Sequence, residues 1–436
     1  MRINSIKQNG HRLYQQLRKG ILQVFSASVV NKVVVMFSNM VLTRMLVQNE
    51  YGILSYAGNV YAYASLIMGF GLVAGALQFG TENRGQPAEN KFYRYCASAG
   101  ILVNLCIIVA FTIAFMLGDL PFPQARTYIY VYLPLLIIQY LIQLLFVIFR
   151  SQRRFKVYAK MQIIETVITA SGTCLGTVWG INGVIMAKYI ASIMTLLLVC
   201  WQIRDILYPI IRAGSLSAIQ KKELWHYSIF NGVSSVFNQF LFLIDISMLA
   251  ILMVSTQKLA IYKVATLIPN ALSFIPHSVV ICIVPYIVAR NRDVPWLKQT
   301  FKKTFLAMLV FNLSIGLFLI LLAPWIIQII AGKQYLASVA PFRILVAGYC
   351  VAGTFRSLSV NFLAALKIVK WNAVCSVLSC LTDVLLNLLL IPKFGILGAA
   401  YATFGAEVIS SLLTFGGLMY MLKRLSCEIE ASPTCQ

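Results

Sequence analysis

Trp179-Gly-Ile-Asn-Gly-Val-Ile-Met-Ala187 returns near the end of the chain as Phe394-Gly-Ile-Leu-Gly-Ala-Ala-Tyr-Ala402, at an offset of 215 residues and with both glycines in register. Shared leucines between hydrophobic segments arise easily by chance. Shared glycines do so less readily, because a glycine is kept where the backbone needs it. Upstream, Phe155-Lys-Val matches Leu366-Lys-Ile at an offset of 211, and the difference fits a four-residue insertion such as Ile391-Pro-Lys-Phe394. Tyr51-Gly-Ile-Leu-Ser-Tyr-Ala57 matches Leu259-Ala-Ile-Tyr-Lys-Val-Ala265 at an offset of 208. Three similar offsets predict two related halves in parallel orientation. Many secondary transporters are built this way, with the substrate site where the halves meet.

Long apolar runs surround each copy. Of 436 residues, 60% are hydrophobic and 11% charged, and the mean hydropathy is +0.81. A soluble domain carries about a quarter charged residues, so there is too little polar surface here to face water all round. Runs of this length without period-two alternation predict transmembrane helices, which satisfy their own backbone hydrogen bonds in lipid. Spans are expected near 21–47, 52–80, 96–118, 127–149, 158–180, 182–203, 225–253, 260–290, 303–324, 336–364, 371–391 and 396–422. The fold class is therefore all-α integral membrane, with about 12 helices in two pseudo-symmetric six-helix lobes, 21–203 and 225–422. A basic tail (1–20), an inter-lobe loop (204–224) and a C-terminal tail (423–436) complete the division, all three cytoplasmic.

The formal charge of +23 follows that topology. Loops on the side of the N-terminus hold 25 of the 36 lysines and arginines, whereas the opposite loops hold four: Arg126, Lys258, Lys333 and Lys393. This is the asymmetry of cytoplasmic against external loops, and it excludes the nucleic-acid partner that such a charge would suggest in a soluble chain. The basic, polar first residues do not read as a secretory signal. Ten cysteines are scattered, mostly within apolar runs and without a C-x-x-C pair or a histidine at metal spacing, so no metal and no cofactor are expected. The sequon Asn312-Leu-Ser lies inside an expected span.

Polar residues within the spans line up. Lys263, Thr266, Asn270, Ser273 and His277 share one helical face of the eighth span. Asn231, Ser235, Asn238 and Asp245 do so on the seventh, Ser28, Lys32, Asn39 and Thr43 on the first, and Tyr56, Asn59 and Tyr63 on the second. Under the repeat, spans one and two correspond to seven and eight. Such stripes suit a wet cavity, because polar groups at bilayer depth need water or a partner; interhelical hydrogen bonding by Ser, Thr and Asn is the alternative. The ionisable members Lys32, Lys263, His277 and Asp245 are net basic, which suits an anionic group such as phosphate. Asp245 could equally pair with Lys32 or Lys263. Glu165 and Lys188 stand on adjacent spans and could pair, and Arg343, Arg356, Asp383 and Glu407 form a further set. Asp383, Glu407 and Arg356 are candidates for ion coupling, with structural ion pairing as the competing role. Pro269, Pro276 and Pro285 give the eighth span places to bend.

Leu42-Thr-Arg-Met-Leu-Val-Gln-Asn-Glu-Tyr-Gly52, Gly69-Phe-Gly-Leu-Val-Ala-Gly75, Ala260-Ile-Tyr-Lys-Val-Ala265 with a distant Pro285, and Ile391-Pro-Lys-Phe-Gly-Ile-Leu-Gly-Ala-Ala-Tyr-Ala-Thr403 resemble, in this order and spacing, the polysaccharide exporters. Nearly the whole chain resembles the oligosaccharide flippases of the multidrug/oligosaccharidyl-lipid/polysaccharide (MOP) exporter superfamily. The resemblance implies a MATE-like, two-lobed bundle in the bacterial inner membrane. It implies translocation of undecaprenyl-diphosphate-linked glycan for O-antigen, lipopolysaccharide, capsule or exopolysaccharide assembly, with a polymerase and glycosyltransferases as functional partners. It also implies a cavity formed by spans one, two, seven and eight. Lipid II flippases usually have two more spans, and superfamily drug exporters often carry an acid in the first span, where this chain has Lys32. Within that frame Lys32 and Lys263, with His277 assisting, would attract the diphosphate, Asn31, Asn39, Asn59, Asn238 and Asn270 would replace water around the sugar, and Asn231 would line the same cavity. A cation-coupled drug or metabolite antiporter of the same fold is the rival reading. No Walker A loop, nucleophile elbow or H-E-x-x-H motif supports an enzyme.

Overall fold

The computed structural model describes residues 26–253, 255–273, 275–276, 287, 293–366 and 368–430. These residues are helical nearly throughout, with no strand among them. In chain order the helices are α1 (Ser26–Met45), α2 (Gln48–Leu66), α3 (Leu72–Glu82), α4 (Pro87–Leu117), α5 (Ala125–Tyr132), α6 (Leu135–Ser151), α7 (Phe155–Gly176), α8 (Gly180–Gln202) and α9 (Arg204–Arg212). They continue as α10 (Ala218–Met253), α11 (Thr256–Leu272), α12 (Val294–Leu321), α13 (Ala323–Ala331), α14 (Val339–Val351), α15 (Ser357–Ala365), α16 (Val369–Phe394) and α17 (Ile396–Glu430).

Among the described residues nine helical stretches are long and apolar enough to cross a bilayer, and large apolar side chains such as Leu117, Leu175 and Trp179 stand more than two-thirds exposed along them. Lipid is the solvent those faces require. One stretch, Phe155–Gln202, is 48 residues long and folds back on itself, so it supplies two of the expected spans. The expected seventh span is the continuous α10, which begins at Ala218, inside the stretch read as a loop. The expected eighth is interrupted: α11 stops at Leu272, just past Pro269. Residues 274, 277–286 and 288–292, with His277 and Pro285 among them, lie outside the described residues. The inter-lobe loop also holds α9, with the Arg212 guanidinium 4.3 Å from the ring centroid of Tyr208.

Local signals account for several helix ends. Ser255 caps α11 by accepting from the Lys258 amide (3.4 Å), and Asp293 caps α12 by accepting from Trp296 (3.1 Å). The break between α2 and α3 comes at Gly69-Phe70-Gly71, whose φ values are 61°, 46° and 80°. The internal repeat has a backbone cause. Gly180 (φ 65°, ψ −153°) and Gly395 (φ 60°, ψ −129°) both turn the chain through a region open essentially only to glycine. Three residues on, a Cβ on Gly183 would stand 2.2 Å from the Gly176 carbonyl oxygen, and one on Gly398 2.2 Å from that of Leu390. The glycines matched in sequence thus carry matched tight hairpins, α7–α8 and α16–α17.

The helices form two compact units. One comprises the described residues up to Leu46 together with Ala57–Val236; the other comprises Val47–Tyr56 and the described residues from Phe237 on. The division therefore falls inside α10 rather than in the 204–224 segment, and a short piece of α2 belongs to the second unit. The first unit is centred on α6. Tyr140 is fully buried there and its hydroxyl donates to the Cys96 carbonyl (2.6 Å). Glu89 is turned inward to accept from the Gly85 amide (2.8 Å) and the Tyr93 hydroxyl (3.0 Å). In the second unit Phe301, Phe305, Phe355, Phe362 and Phe415 pack with ring centroids 5.1 to 6.0 Å apart. The α2 start is held there by Gln48 donating to the Gln334 carbonyl (2.6 Å) and by Tyr51 edge-on to Tyr335.

Candidate functional site

Four polar stripes converge inside the second unit on a cavity of about 400 Å³. Lys263, Thr266, Asn270 and Ser273 come from α11 and the residue that follows it. Ser376, Ser379 and Asp383 come from α16, and Thr403, Glu407, Ser410 and Thr414 from α17. Arg356, Ser357 and Asn361 come from the α14–α15 junction. The α11, α16 and α17 sets follow three- and four-residue spacing, so each occupies one helical face.

The α14–α15 junction is a single π-helical turn, Ala352–Arg356. Wide turns of this kind concentrate at functional sites. Asn312, fully buried on α12, braces it: its amide donates to Thr354 (2.9 Å) and its carbonyl oxygen accepts from Tyr349 (3.2 Å). The sequon asparagine is thus an internal strut. The turn delivers Arg356, whose Nη1 donates to Glu407 Oε2 at 2.8 Å, with side chains 19% and 18% exposed. These two sequence candidates form an ion pair facing the cavity.

Asp383 belongs to a different group. Asp245, buried on α10, accepts from Tyr262 (2.9 Å), Thr403 (2.7 Å) and Asn387 (3.0 Å). Asp383 lies within hydrogen-bond reach of it. Asp245 therefore takes its hydrogen bonds from three neutral donors, rather than from the Lys32 or Lys263 left open by the sequence, and its companion is a second acid. Two carboxylates this close repel unless a proton or a cation lies between them. Asp383 Oδ1 and Asn387 Oδ1 are buried without a hydrogen-bond donor. Carboxylate and amide oxygens are the ligand type that hard cations take.

Lys32 (exposed), Asn39 (half-buried) and Asn59 (buried) belong to the first unit. The side chains of Asn231 and Asn238 lie outside the described residues, as does His277. Among the described residues the ion pairs within 4.0 Å are Arg204–Asp205 and Arg356–Glu407, so Glu165 and Lys188 do not pair; Lys188 donates to the Tyr132 hydroxyl (2.8 Å) instead. Arg343 leaves its expected set and donates to the Ile320 carbonyl near the end of α12 (3.1 Å). Sequence reasoning missed Tyr262, Asn387, Thr403, Asn361, Ser357, Ser376, Ser379 and Ser410. The α16 and α17 stripes were legible by the same spacing that exposed the α11 stripe. The partnership of Tyr262 with Asp245 was not, because it depends on packing between helices.

The sequence from 17 to 290 matches the family model described as polysaccharide biosynthesis protein. The chain belongs to that family. No curated protein matches it by sequence. Among solved structures it is similar to the lipid II flippase MurJ in an inward closed conformation, with TM-score 0.73, 16% identity, and 94% of this chain and 93% of that one covered. It is also similar to an inward-facing multidrug resistance MATE family transporter of the MOP superfamily (TM-score 0.71, 11% identity, 93% and 99% covered). A third is a MOP superfamily transporter from Pyrococcus furiosus described as having a binding pocket of reverse polarity (TM-score 0.62, 11% identity, 94% and 96% covered). This polysaccharide biosynthesis protein is thus a multi-pass membrane protein with the fold of MOP superfamily transporters.

Proposed function

We propose that the protein is a lipid-linked oligosaccharide flippase. It moves undecaprenyl-diphosphate-linked glycan from the cytoplasmic to the outer leaflet of the bacterial inner membrane, for O-antigen, capsule or exopolysaccharide assembly. The observation that carries the reading is the cavity walled by amides, hydroxyls and opposed charges in an otherwise apolar bundle, in a chain of a polysaccharide biosynthesis family. A glycan leaving water needs its hydroxyl hydrogen bonds replaced one for one, and this wall supplies both donors and acceptors.

In this reading Lys32 and Lys263, with His277 assisting, hold the diphosphate, and Asn39, Asn59, Asn231, Asn238 and Asn270 face the sugar. The prenyl tail stays in the bilayer. Both termini are cytoplasmic, where the basic loops face anionic lipid. Asp245 and Asp383 form the coupling site, alternating between an occupied, neutralised state and an empty one. The Arg356–Glu407 pair is already neutralised and takes no part in coupling. The test is complementation of a flippase-deleted strain. Lys32→Ala combined with Lys263→Ala, expressed and inserted at normal levels, loses surface polysaccharide; full restoration by that variant refutes the basic-cavity mechanism. A cation-coupled drug antiporter predicts the reverse: polysaccharide intact, and sensitivity to toxic cations raised on deletion.

A further inference from the structure

The cavity is much larger than its acid pair requires. A cation with its ligands needs little room beyond the place where Asp245, Tyr262 and Thr403 meet. About 400 Å³ is open in all, enough for a dozen waters at about 30 Å³ each and within the range of small-molecule pockets. The remaining wall, around Arg356 and Glu407, is built differently from the surroundings of Asp245.

Three properties of that wall define what fits it. First, charge: Arg356 and Lys263 share the cavity with Asp245, Asp383 and Glu407, so a free anion meets carboxylates and a free cation meets a guanidinium. A neutral ligand meets neither penalty. Second, hydrogen-bonding capacity. The Arg356–Glu407 contact uses one nitrogen of a five-donor fork and one carboxylate oxygen. Asn361 spends its amide on the Ser357 carbonyl (2.7 Å), and Thr414 spends its hydroxyl on that of Ser410 (2.7 Å); both keep acceptor oxygens. The wall thus offers a fork of donors beside a row of acceptors. A polyol, each hydroxyl of which both donates and accepts, complements that pattern. Third, shape: Phe404 and Tyr349 line the same space, giving an apolar surface for the C–H face of a ring.

We propose that this part of the cavity wall binds one neutral pyranose unit of the lipid-linked glycan, with Arg356 and Glu407 together bridging neighbouring hydroxyls. The inference rests on the flippase reading and adds a sugar-recognition subsite to it. The subsite lies within the second unit, on a different part of the wall of the cavity that Lys263 also lines. A sugar whose hydroxyls are epimeric or replaced by charge is selected against here, so this wall contributes to glycan specificity.

The experiment is thiol protection in the full-length protein. Asn361→Cys, on a Cys375→Ser background, is labelled with a small methanethiosulfonate reagent. Labelling is compared with no addition, with undecaprenyl diphosphate, and with lipid-linked oligosaccharide extracted from the producing strain; native mass spectrometry records which lipid is bound. We expect the oligosaccharide to slow labelling at least fivefold and undecaprenyl diphosphate less than twofold. Equal slowing by both, or by neither, overturns the subsite. Should neither lipid bind in the mass spectrum, the flippase reading falls as well; if the oligosaccharide binds and labelling is unslowed, only the subsite falls. A second variant adds Arg356→Met with Glu407→Leu, which replaces the ion pair by apolar groups of similar volume. Folded protein of this kind should lose the protection, and fivefold protection retained there also overturns the proposal.

Discussion

Replacing Asp245 by alanine and, separately, by asparagine distinguishes a coupling carboxylate from a structural one. Asp245 accepts three hydrogen bonds, from Tyr262, Thr403 and Asn387. Each donor also has a second acceptor: the Tyr262 and Thr403 hydroxyls meet at 3.1 Å, Thr403 reaches the Ala399 carbonyl (3.0 Å) and Asn387 the Asp383 carbonyl (3.0 Å). Alanine therefore removes three bonds without orphaning the donors. Each lost bond is worth about 1 kcal/mol, and the sum stays at about 2 kcal/mol, because neighbours in one network do not add. Asparagine keeps an acceptor oxygen in nearly the same place. It also leaves Asp383 without an acidic neighbour, which lifts the mutual repulsion of the pair. On balance Asp245→Asn should be as stable as the parent or more so. Transport reverses the order of merit: the asparagine variant has lost one of the two charges a coupling cation needs. The assays are thermal unfolding in detergent and restoration of surface polysaccharide in a deletion strain. We expect Asp245→Ala to unfold several degrees lower, and Asp245→Asn to match the parent in Tm while restoring less than a tenth of the polysaccharide. An asparagine variant that is stable and fully active refutes the coupling role; an alanine variant as stable as the parent refutes the hydrogen-bond reasoning.

Further outcomes follow from particular contacts. Gly395→Ala should cost about 1–3 kcal/mol, because φ 60° with ψ −129° admits essentially only glycine, whereas Gly416→Ala, where a Cβ meets nothing within 4 Å, should be neutral or gain up to about 1 kcal/mol of helix propensity; detergent Tm separates them. Arg356→Gln and Glu407→Gln should each destabilise more than the two together, since each single change leaves an uncompensated charge facing a low-dielectric wall; a double-mutant cycle on Tm shows the coupling. Tyr140→Phe should cost about 1 kcal/mol through the lost bond to the Cys96 carbonyl, and Tyr140→Ala about 3–5 kcal/mol through the cavity it opens in the first unit. Cysteines placed at Arg153 and at Lys333 should react with an impermeant thiol reagent from opposite faces of the membrane; labelling of both from one face contradicts the assigned topology.

Much of this protein is readable along the chain. Helical spans follow from the length of apolar runs, because a backbone in lipid has to bond to itself, and the loop charges orient them. The repeat is legible because two hairpins need a glycine at the same two places, Gly180 with Gly183 and Gly395 with Gly398. Stripes on single helices are also local: spacing alone puts Lys263, Thr266, Asn270 and Ser273 on one face. What those stripes face is not local. Only the packing of α10, α11, α16 and α17 decides that Asp245 meets Asp383 and Tyr262 instead of a lysine, that a π-helical turn carries Arg356 to Glu407, and that Glu165 and Lys188 stay apart. Partner choice across helices depends on crossing geometry and on which hydrogen bonds are satisfied at depth, and no periodicity within one helix encodes it.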